Sequence, residues 1–256
     1  MIISPQDWHR RFEVQARWTE QLRRYLYRRA GLDSAARMLS VGCGTGALLQ
    51  ELIQPGSGRV TGVDLNASFL KLCAAHAPGA DLVLGDGLRL PFEGGSYDIS
   101  LCHYLLLWVR DPHKIVEEMR RVTRSGGRVL ALAEPDYGGR IDYPVGLAQL
   151  GEWQQRALRE QGADPLIGRR LASIFRGAGL RQVETGVLGA QWTGGMAQSD
   201  WDSEWRMLEN DFARQMEEAR EFRREFERLR RLDAAAWERG ERVLYVPTFY
   251  AWGRVP

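Results

Sequence analysis

From Pro5 to about Ala30, the apolar residues Trp8, Phe12, Trp18, Leu22, Tyr25 and Leu26 recur at three- and four-residue steps among arginines and glutamates. This spacing predicts helix, with Gly31 as its stop. Short apolar runs then alternate with amphipathic ones. Strands are expected at Arg37–Val41, Arg59–Asp64, Leu82–Leu84, Tyr97–Cys102 and Arg128–Ala133, and helices at Thr45–Ile53, Ala67–His76 and Pro112–Thr123. Regular alternation of this kind predicts an α/β fold, a mostly parallel sheet with helices on both faces.

The last third has a different rhythm. A helix is expected at Leu166–Gly177 and a strand at Val183–Trp192. From about Asp200 to Gly240, Trp201, Trp205, Leu208, Phe212, Met216, Ala219, Phe222, Phe226, Leu229 and Leu232 keep helical spacing opposite a face of glutamate and arginine. That is one long amphipathic helix or two with a break. Val243–Trp252, rich in aromatic and β-branched residues, reads as a terminal strand. The chain is thus expected to be a single domain, with a helical segment at 1–30, a ligand-binding core at 31–135 and a helical insertion at 193–241 between the last two strands. The insertion is expected to be a cap over a site, a helix packed on the flank, or a homodimer interface. Trp192, Trp201 and Trp205 would be pocket walls under the first reading and core under the others.

Composition narrows the partners. The 256 residues are 44% hydrophobic with a formal net charge of +2, so a sizeable core is expected and a basic face for nucleic acid is not. No apolar run approaches membrane-spanning length and no signal sequence is evident, so a soluble cytoplasmic protein is expected, with no membrane partner. Cys43, Cys73 and Cys102 fit neither a disulfide framework nor a zinc site, and no metal is expected. Lys71 and Lys114 are the only lysines.

The chemistry begins at Val41-Gly42-Cys43-Gly44-Thr45-Gly46-Ala47, an apolar strand running into alternate glycines and a predicted helix. Such a loop lets a ligand approach the backbone and offers it N–H groups and a helix N-terminus. Gly42-x-Gly44-x-x-Ala47 also satisfies the dinucleotide fingerprint. Asp64, at the end of the second strand, is placed to accept two ribose hydroxyls from either kind of nucleoside cofactor. A short-chain dehydrogenase would need a tyrosine four residues before a lysine, where this chain has Ala67 and Arg110.

Val41–Gly46 resembles the first motif of the class I S-adenosylmethionine-dependent methyltransferases of the small-molecule type. Gly62-Val63-Asp64, the Gly85–Phe92 loop, Tyr97-Asp98-Ile99, Asp111-Pro112, Arg120-Arg121-Val122 and Gly126-Gly127 follow in that family's order, with Ser125 where many relatives have proline. The resemblance covers most of residues 30–135. It implies a Rossmann-like seven-stranded sheet with an antiparallel last strand, S-adenosylmethionine as cofactor and a small-molecule substrate. Carried onto this chain, it implies that Gly42, Cys43 and Gly44 face the methionine portion and Asp64 the ribose. Leu65 would pack on the adenine, Asp86 and Gly87 would read its amino edge, and Cys102 or His103 would lie beside the sulfonium. Arg17 is the candidate partner of the methionine carboxylate.

Methyl transfer is an in-line displacement whose main demand is to hold nucleophile and methyl in contact. A general base helps when the nucleophile arrives protonated. His103, after the fourth strand, and Glu134, after the fifth, are the candidates. Asp136, Tyr137, Arg140 and Tyr143, in the polar stretch that follows, are candidates for the substrate. The motif Leu101-Cys102-His103-Tyr104 lacks the N/D-P-P-Y/F pattern of amino-methylating enzymes acting on adenine or glutamine, and a Pro-Cys nucleophile is absent. A non-catalytic cofactor-binding or dimerisation protein of the same fold, and a nicotinamide oxidoreductase, are the alternatives.

Overall fold

The computed structural model describes residues 4–32, 35, 37–53, 58–187 and 196–256. Seven strands form one sheet: β1 (Arg37–Val41), β2 (Arg59–Asp64), β3 (Asp81–Leu84), β4 (Tyr97–Cys102), β5 (Thr123–Pro135), β7 (Arg181–Val187) and β9 (Thr248–Arg254). Their order is β3-β2-β1-β4-β5-β9-β7. The first five run parallel, while β9 is antiparallel to both β5 and β7. The expected Rossmann-like sheet with an antiparallel last strand is therefore present. Strand order reverses between β1 and β4, and the crevice at such a point is where open α/β sheets hold ligands.

Helices cover both faces. On one, α5 (Pro112–Val122) and α7 (Leu171–Gly177) pack Ile115, Met119 and Phe175 against Leu39, Val129 and Ala251. On the other, α2 (Glu20–Ala30) lays Leu22 and Leu26 over Met38, Leu101 and Leu130. The N-terminal helix splits in two. In α1 (Pro5–Trp18), proline stands in the first turn and the Ser4 hydroxyl accepts from the Asp7 N–H. The chain breaks at Thr19 and resumes as α2, which Gly31 ends in the left-handed conformation.

Two expectations about the glycine loop are corrected. The helix expected at Thr45–Ile53 is a single turn, α3 (Leu49–Leu52), because the chain must still turn through Gly46 at φ +88° before helix begins. The loop's amides are also already committed. The N–H groups of Gly42 and Cys43 donate to the Val63 carbonyl at 2.8 and 3.1 Å, Gly44 to Asp64 Oδ2 at 2.8 Å, and Gly46 to the Cys43 carbonyl at 3.1 Å. The loop supplies a side-chain-free wall more than donors.

The last third is more divided than its periodicity implied. The apolar stripe from residue 200 to 240 is three helices: α8 (Gln198–Asp211), α9 (Ala213–Glu218) and α10 (Arg220–Glu238). The terminal strand is also split. β8 (Val243–Tyr245) leaves the main sheet to pair with β6 (Ile141–Tyr143), and β9 alone returns. A further helix, α6 (Ala148–Glu160), was not anticipated. It completes a second core in which Leu150 and Ala157 meet Trp205, Leu208, Phe212, Phe226 and Leu229. The amphipathic stripe is thus filled from within the chain. Trp205 is core, and Trp201 packs beside it with both indole N–H groups donating to Asp233. Trp192 lies outside the described residues.

Buried ions hold this subdomain together. Arg242 pairs with both Asp233 and Asp142, and Asp142 also receives Arg140, so α10, β6 and β8 share one network. Each charge there is answered and hydrogen-bonded, the condition under which burial is tolerated. No described helix is long and apolar enough to cross a membrane. Cys43, Cys73 and Cys102 are free and buried.

Candidate active site

A cavity of about 410 Å³ opens at the carboxyl ends of β1 and β4, roofed by α1 and bounded by α6 and α8. That size lies within the usual range for a small-molecule site. One end is the glycine loop, with Gly42, Cys43, Gly44 and Asp64 in the wall. Gly42 (φ +68°) and Gly44 (φ +56°) have left-handed backbones that side chains rarely adopt. A β-carbon on Gly42 would sit 2.8 Å from Leu105 Cδ1, and one on Gly44 3.2 Å from Phe12 Cε2. The loop is thus packed as closely as hydrogen permits between Leu105 and the roof.

Asp64 ties this end together. Its Oδ2 accepts from the Gly44 N–H and its Oδ1 from the Asn66 N–H, each at 2.8 Å. A carboxylate has about four acceptor sites, so each oxygen keeps one for a ligand hydroxyl. Beyond Asp64 the site continues as an open shelf. Leu65 and Leu84 stand at adjoining strand ends and are 73% and 60% exposed, high for leucines and suited to the face of a flat ring. Asp86, next along the strand ends, is also exposed and accepts from the Leu88 N–H at 2.9 Å. Gly87 is glycine for packing, because a β-carbon there would meet Ile115 at 2.8 Å.

Helix α1 is fastened over the loop. The His9 ring bonds Thr45 Oγ1 through Nδ1 at 2.8 Å and stacks on His76 with 3.7 Å between centroids. Phe12 meets Phe69 edge to face at 5.7 Å. From the other side, Arg11 reaches Glu204 at 2.7 Å and Arg17 reaches Asp200 at 2.6 Å, joining α1 to α8. Arg17 is therefore exposed, paired away from the cavity and not in its wall; Arg11, one and a half turns earlier, is the arginine that lines it.

The middle of the cavity is formed where β4 ends. His103 and Tyr104 line it. His103 Nε2 and Thr19 Oγ1 lie 2.9 Å apart, at the break between α1 and α2. Burial, and then the Arg23 guanidinium, push the His103 pKa well below the ordinary imidazole value, so the ring is neutral at pH 7. Tyr104 has φ +51°, a strained conformation for a tyrosine, which turns the chain sharply out of the strand into the wall. Cys102, one residue earlier, is fully buried and does not reach the cavity.

Glu134 is also withdrawn from the reacting space. It is fully buried, and its carboxylate accepts from the N–H groups of Leu105, Leu106 and Leu107 at 2.9, 3.0 and 3.3 Å. Burial raises its pKa to about 7 against those three donors. Its place is behind the wall, where it holds the segment that carries Leu105 and Leu107 into the cavity. Of the four substrate candidates, Tyr137 alone lines the cavity. Asp136 is spent on Arg169, and Arg140 on Asp142 and Gln154. Tyr143 is 56% exposed on β6. The short carboxylate–arginine separations in this stretch make it a self-satisfied turn.

The far end is built by residues that the sequence reading passed over. Gln154 and Gln161 come from α6 and the turn after it, Met207 and Asp211 from α8, with Leu107, Trp108 and Leu158 supplying apolar wall. Burial, with Glu204 nearby, raises the Asp211 pKa. Among the described residues, no group of three or more histidines, cysteines and carboxylates is placed to hold a metal ion.

Residues 39–131 match the family model of a methyltransferase domain. A demethylmenaquinone methyltransferase of Renibacterium salmoninarum is 30% identical over 122 residues, covering 47% of this chain and 51% of that protein. An uncharacterised 37.1 kDa protein in a transposon of Streptomyces fradiae is 35% identical over 151 residues, 55% of this chain and 42% of that one. The chain spans about half the length of these curated relatives. Among solved structures, a chain of the complex between the Haloferax volcanii Trm112 methyltransferase activator and a methyltransferase superposes with a TM-score of 0.61. The alignment covers 98% of this chain and 96% of that one at 18% identity, a likeness of fold.

Proposed function

We propose, from the premise that this chain belongs to the class I S-adenosylmethionine-dependent methyltransferases, that it methylates a small molecule held beneath α1 and the α6–α8 side of the helical cap. One observation carries the reading. A single cavity joins the glycine loop and Asp64 at one end to a polar pocket of Arg11, Gln154, Gln161 and Asp211 at the other, with His103 and Tyr104 between them.

The residues fit the cofactor. The glycines put bare backbone into the cavity wall, Asp64 retains acceptor capacity on both oxygens, and the exposed Leu65–Leu84 shelf suits a purine face. Gly42, Cys43 and Gly44 would face the methionine portion, Asp64 the ribose, Leu65 the adenine and Asp86 its amino edge. The cofactor supplies an electrophilic methyl on a sulfonium, which leaves as a neutral thioether once the methyl is taken. The protein's own work is to orient and to exclude water. Tyr104, whose N–H donates to the Ala133 carbonyl, and Leu105, whose N–H donates to Glu134, form the wall against which donor and acceptor would meet. His103, tethered to Thr19, stands nearest as a base, but the burial and the Arg23 charge that keep it neutral also weaken it, so its main work is to orient the acceptor. Helix α1 shuts the site from above through Trp8 and Phe12.

Calorimetric titration with S-adenosylhomocysteine tests the reading, with NADH as the contrast. Micromolar binding of the first and none of the second is expected. Binding of NADH alone would move the loop to the oxidoreductase reading. A cavity that binds S-adenosylhomocysteine, while His103→Ala leaves turnover of the identified substrate unchanged, removes the base and keeps the fold's function.

A further inference from the structure

The hydrogen bonds behind the cavity wall determine which nitrogen of His103 carries the ring proton. Thr19 is 4% exposed at the break between α1 and α2, and several groups converge on its hydroxyl. The Gln15 and Ala16 carbonyls lie 3.1 and 3.4 Å from Oγ1, Arg23 Nη1 donates to it, and His103 Nε2 is 2.9 Å away. A hydroxyl has one proton and two acceptor sites. Carbonyls only accept and a guanidinium only donates, whereas an imidazole nitrogen does either. The Thr19 proton therefore goes back to the Gln15 carbonyl one turn earlier, a common bond for threonine in a helix. Arg23 fills one acceptor site, and the other faces His103 Nε2, which must then bear the proton. The reverse assignment, with Thr19 donating to His103, would set the Gln15 carbonyl against a bare lone pair. The Thr19 N–H does not relieve it, since that group donates to the Ala16 carbonyl at 3.3 Å.

Arg23 is held rigidly in this role. It is 1% exposed, its Nε–H donates to Glu51 Oε2 at 3.0 Å, Nη2 pairs with the same carboxylate, and Nη1 also donates to the Ala16 carbonyl. Burial and the Arg23 charge keep the His103 ring neutral, and a neutral imidazole has a single N–H. Nδ1 is thus bare and can only accept. It has no hydrogen-bond partner among the described residues. The described side-chain atoms that are buried without a partner are Arg11 Nε, Arg128 Nε, Gln215 Oε1 and Trp252 Nε1; His103 Nδ1 is not one of them. His103 is only partly buried and lines the cavity, so this nitrogen is open to a ligand. A molecule lying against it gains by presenting an O–H or N–H. One that offers only an ether or carbonyl oxygen meets a lone pair.

We propose that Thr19, its hydroxyl oriented by Gln15 and Arg23, is a positioning residue that holds His103 as the Nε2–H tautomer, so that Nδ1 selects a methyl acceptor bearing an O–H or N–H group. The selection of the acceptor rests on the methyltransferase reading; the tautomer does not.

The test uses the full chain labelled with ¹⁵N-histidine at pH 7.5, saturated with S-adenosylhomocysteine. Long-range proton–nitrogen correlation reads each ring, and His103→Gln identifies the His103 signals among the four histidines. The nitrogen coupled to both carbon-bound ring protons is Nε2, and it is expected at the protonated shift, with Nδ1 at the bare shift. Thr19→Val, which keeps the shape and removes the hydroxyl, should draw the two shifts together as the tautomers exchange, and Thr19→Ser should keep them apart. Phenol at millimolar concentration should then move the Nδ1 signal upfield by several ppm by donating to it, and anisole, which has no O–H, should not. A proton on Nδ1 or an averaged pair in the native chain overturns the proposal, and so does a Thr19→Val spectrum with the tautomer unchanged. Phenol that leaves Nδ1 unmoved, or anisole that moves it equally, overturns the selection of a donor. Should Thr19→Val fail to fold, the native spectrum and the two probes still decide. If S-adenosylhomocysteine itself does not bind in calorimetry, it is the methyltransferase reading that falls, while the tautomer is judged on the spectrum of the unliganded chain.

Discussion

Glu134 is a carboxylate held in the dry interior by three backbone donors, and the balance of those forces has a measurable signature. Burial raises its pKa from 4.5 to about 7, the Leu105–Leu107 amides opposing but not cancelling the effect. Between those two values the folded protein therefore binds more protons than the unfolded chain. Stability is highest below pH 4.5 as far as this group is concerned, and it falls as pH rises through 7. Over the full window the loss amounts to roughly 3 kcal/mol, at about 1.36 kcal/mol per pKa unit. Between pH 5 and pH 8 it is about 2.5 kcal/mol. Glu134→Gln removes the ionisation while preserving shape. It keeps an oxygen for Leu105 and Leu106 but turns an N–H₂ toward the Leu107 N–H, much as the protonated acid turns its O–H. Urea unfolding of both proteins at pH 5, 6, 7 and 8 checks this. The variant should lie near the native chain at pH 5 and gain on it by about 2.5 kcal/mol at pH 8. Parallel curves across that range would mean that Glu134 is ionised throughout with an ordinary pKa, and the account of a desolvated carboxylate would be wrong.

Three further outcomes follow from named contacts. Asp64→Ala should weaken S-adenosylhomocysteine binding by a hundred-fold or more, since two charge-assisted bonds to ribose hydroxyls are worth about 3 kcal/mol or more together; an unchanged calorimetric isotherm would misplace the site. Gly42→Ala combines a φ of +68° with a β-carbon 2.8 Å from Leu105, so a loss of at least about 1 kcal/mol in denaturant unfolding is expected, and a neutral result would show that the loop relaxes freely. His9 has its pKa lowered by burial and then by the stacked His76, so its contribution to stability is present above its unfolded value of 6.5 and is lost as pH falls below it. Amide exchange across residues 5–18, corrected for intrinsic rates, should accelerate at pH 5 relative to pH 7.5. In His9→Phe that acceleration should be absent, and its persistence would assign the acid response to other groups.

The sheet was legible because its signals are local. Each parallel strand is an apolar run of about the length of an element, and each is followed by a turn residue, so Arg37–Val41, Arg59–Asp64 and Tyr97–Cys102 were expected where they occur. The glycine loop misled in one respect. Its pattern implied free amides and a long helix, but Val63 and Asp64 consume the amides, and neither acceptor is adjacent in sequence. The carboxylates after β5 misled for a related reason. A sequence displays polar groups and hides their partners: Glu134 and Asp136 are satisfied by groups distant in sequence, and Arg140 by Gln154 as well as its near neighbour Asp142. Arg17 and Arg11 stand six residues apart on one helix, and nothing local distinguishes the exposed one from the buried one. The α6 region remained unread because its charged and apolar residues are mixed, its Leu150 and Ala157 serving the cap core while Gln154 and Leu158 serve the cavity.

The N-terminal helix connects these observations. Three positions within one turn of α1 address three different structures: His9 the Thr45 hydroxyl of the glycine loop, Arg11 the Glu204 carboxylate of the cap, and Phe12 the space above Gly44. Both ends of the cavity therefore share one roof, fastened to the glycine-loop side by the His9–Thr45 bond and the His9–His76 and Phe12–Phe69 ring contacts, and to α8 by two ion pairs. A ligand that fills the glycine-loop end should pack against Phe12 and stabilise α1, which also carries Arg11 into the cavity wall. Binding at one end should strengthen binding at the other through the ordering of one helix, with the coupling limited to the free energy of holding α1 down.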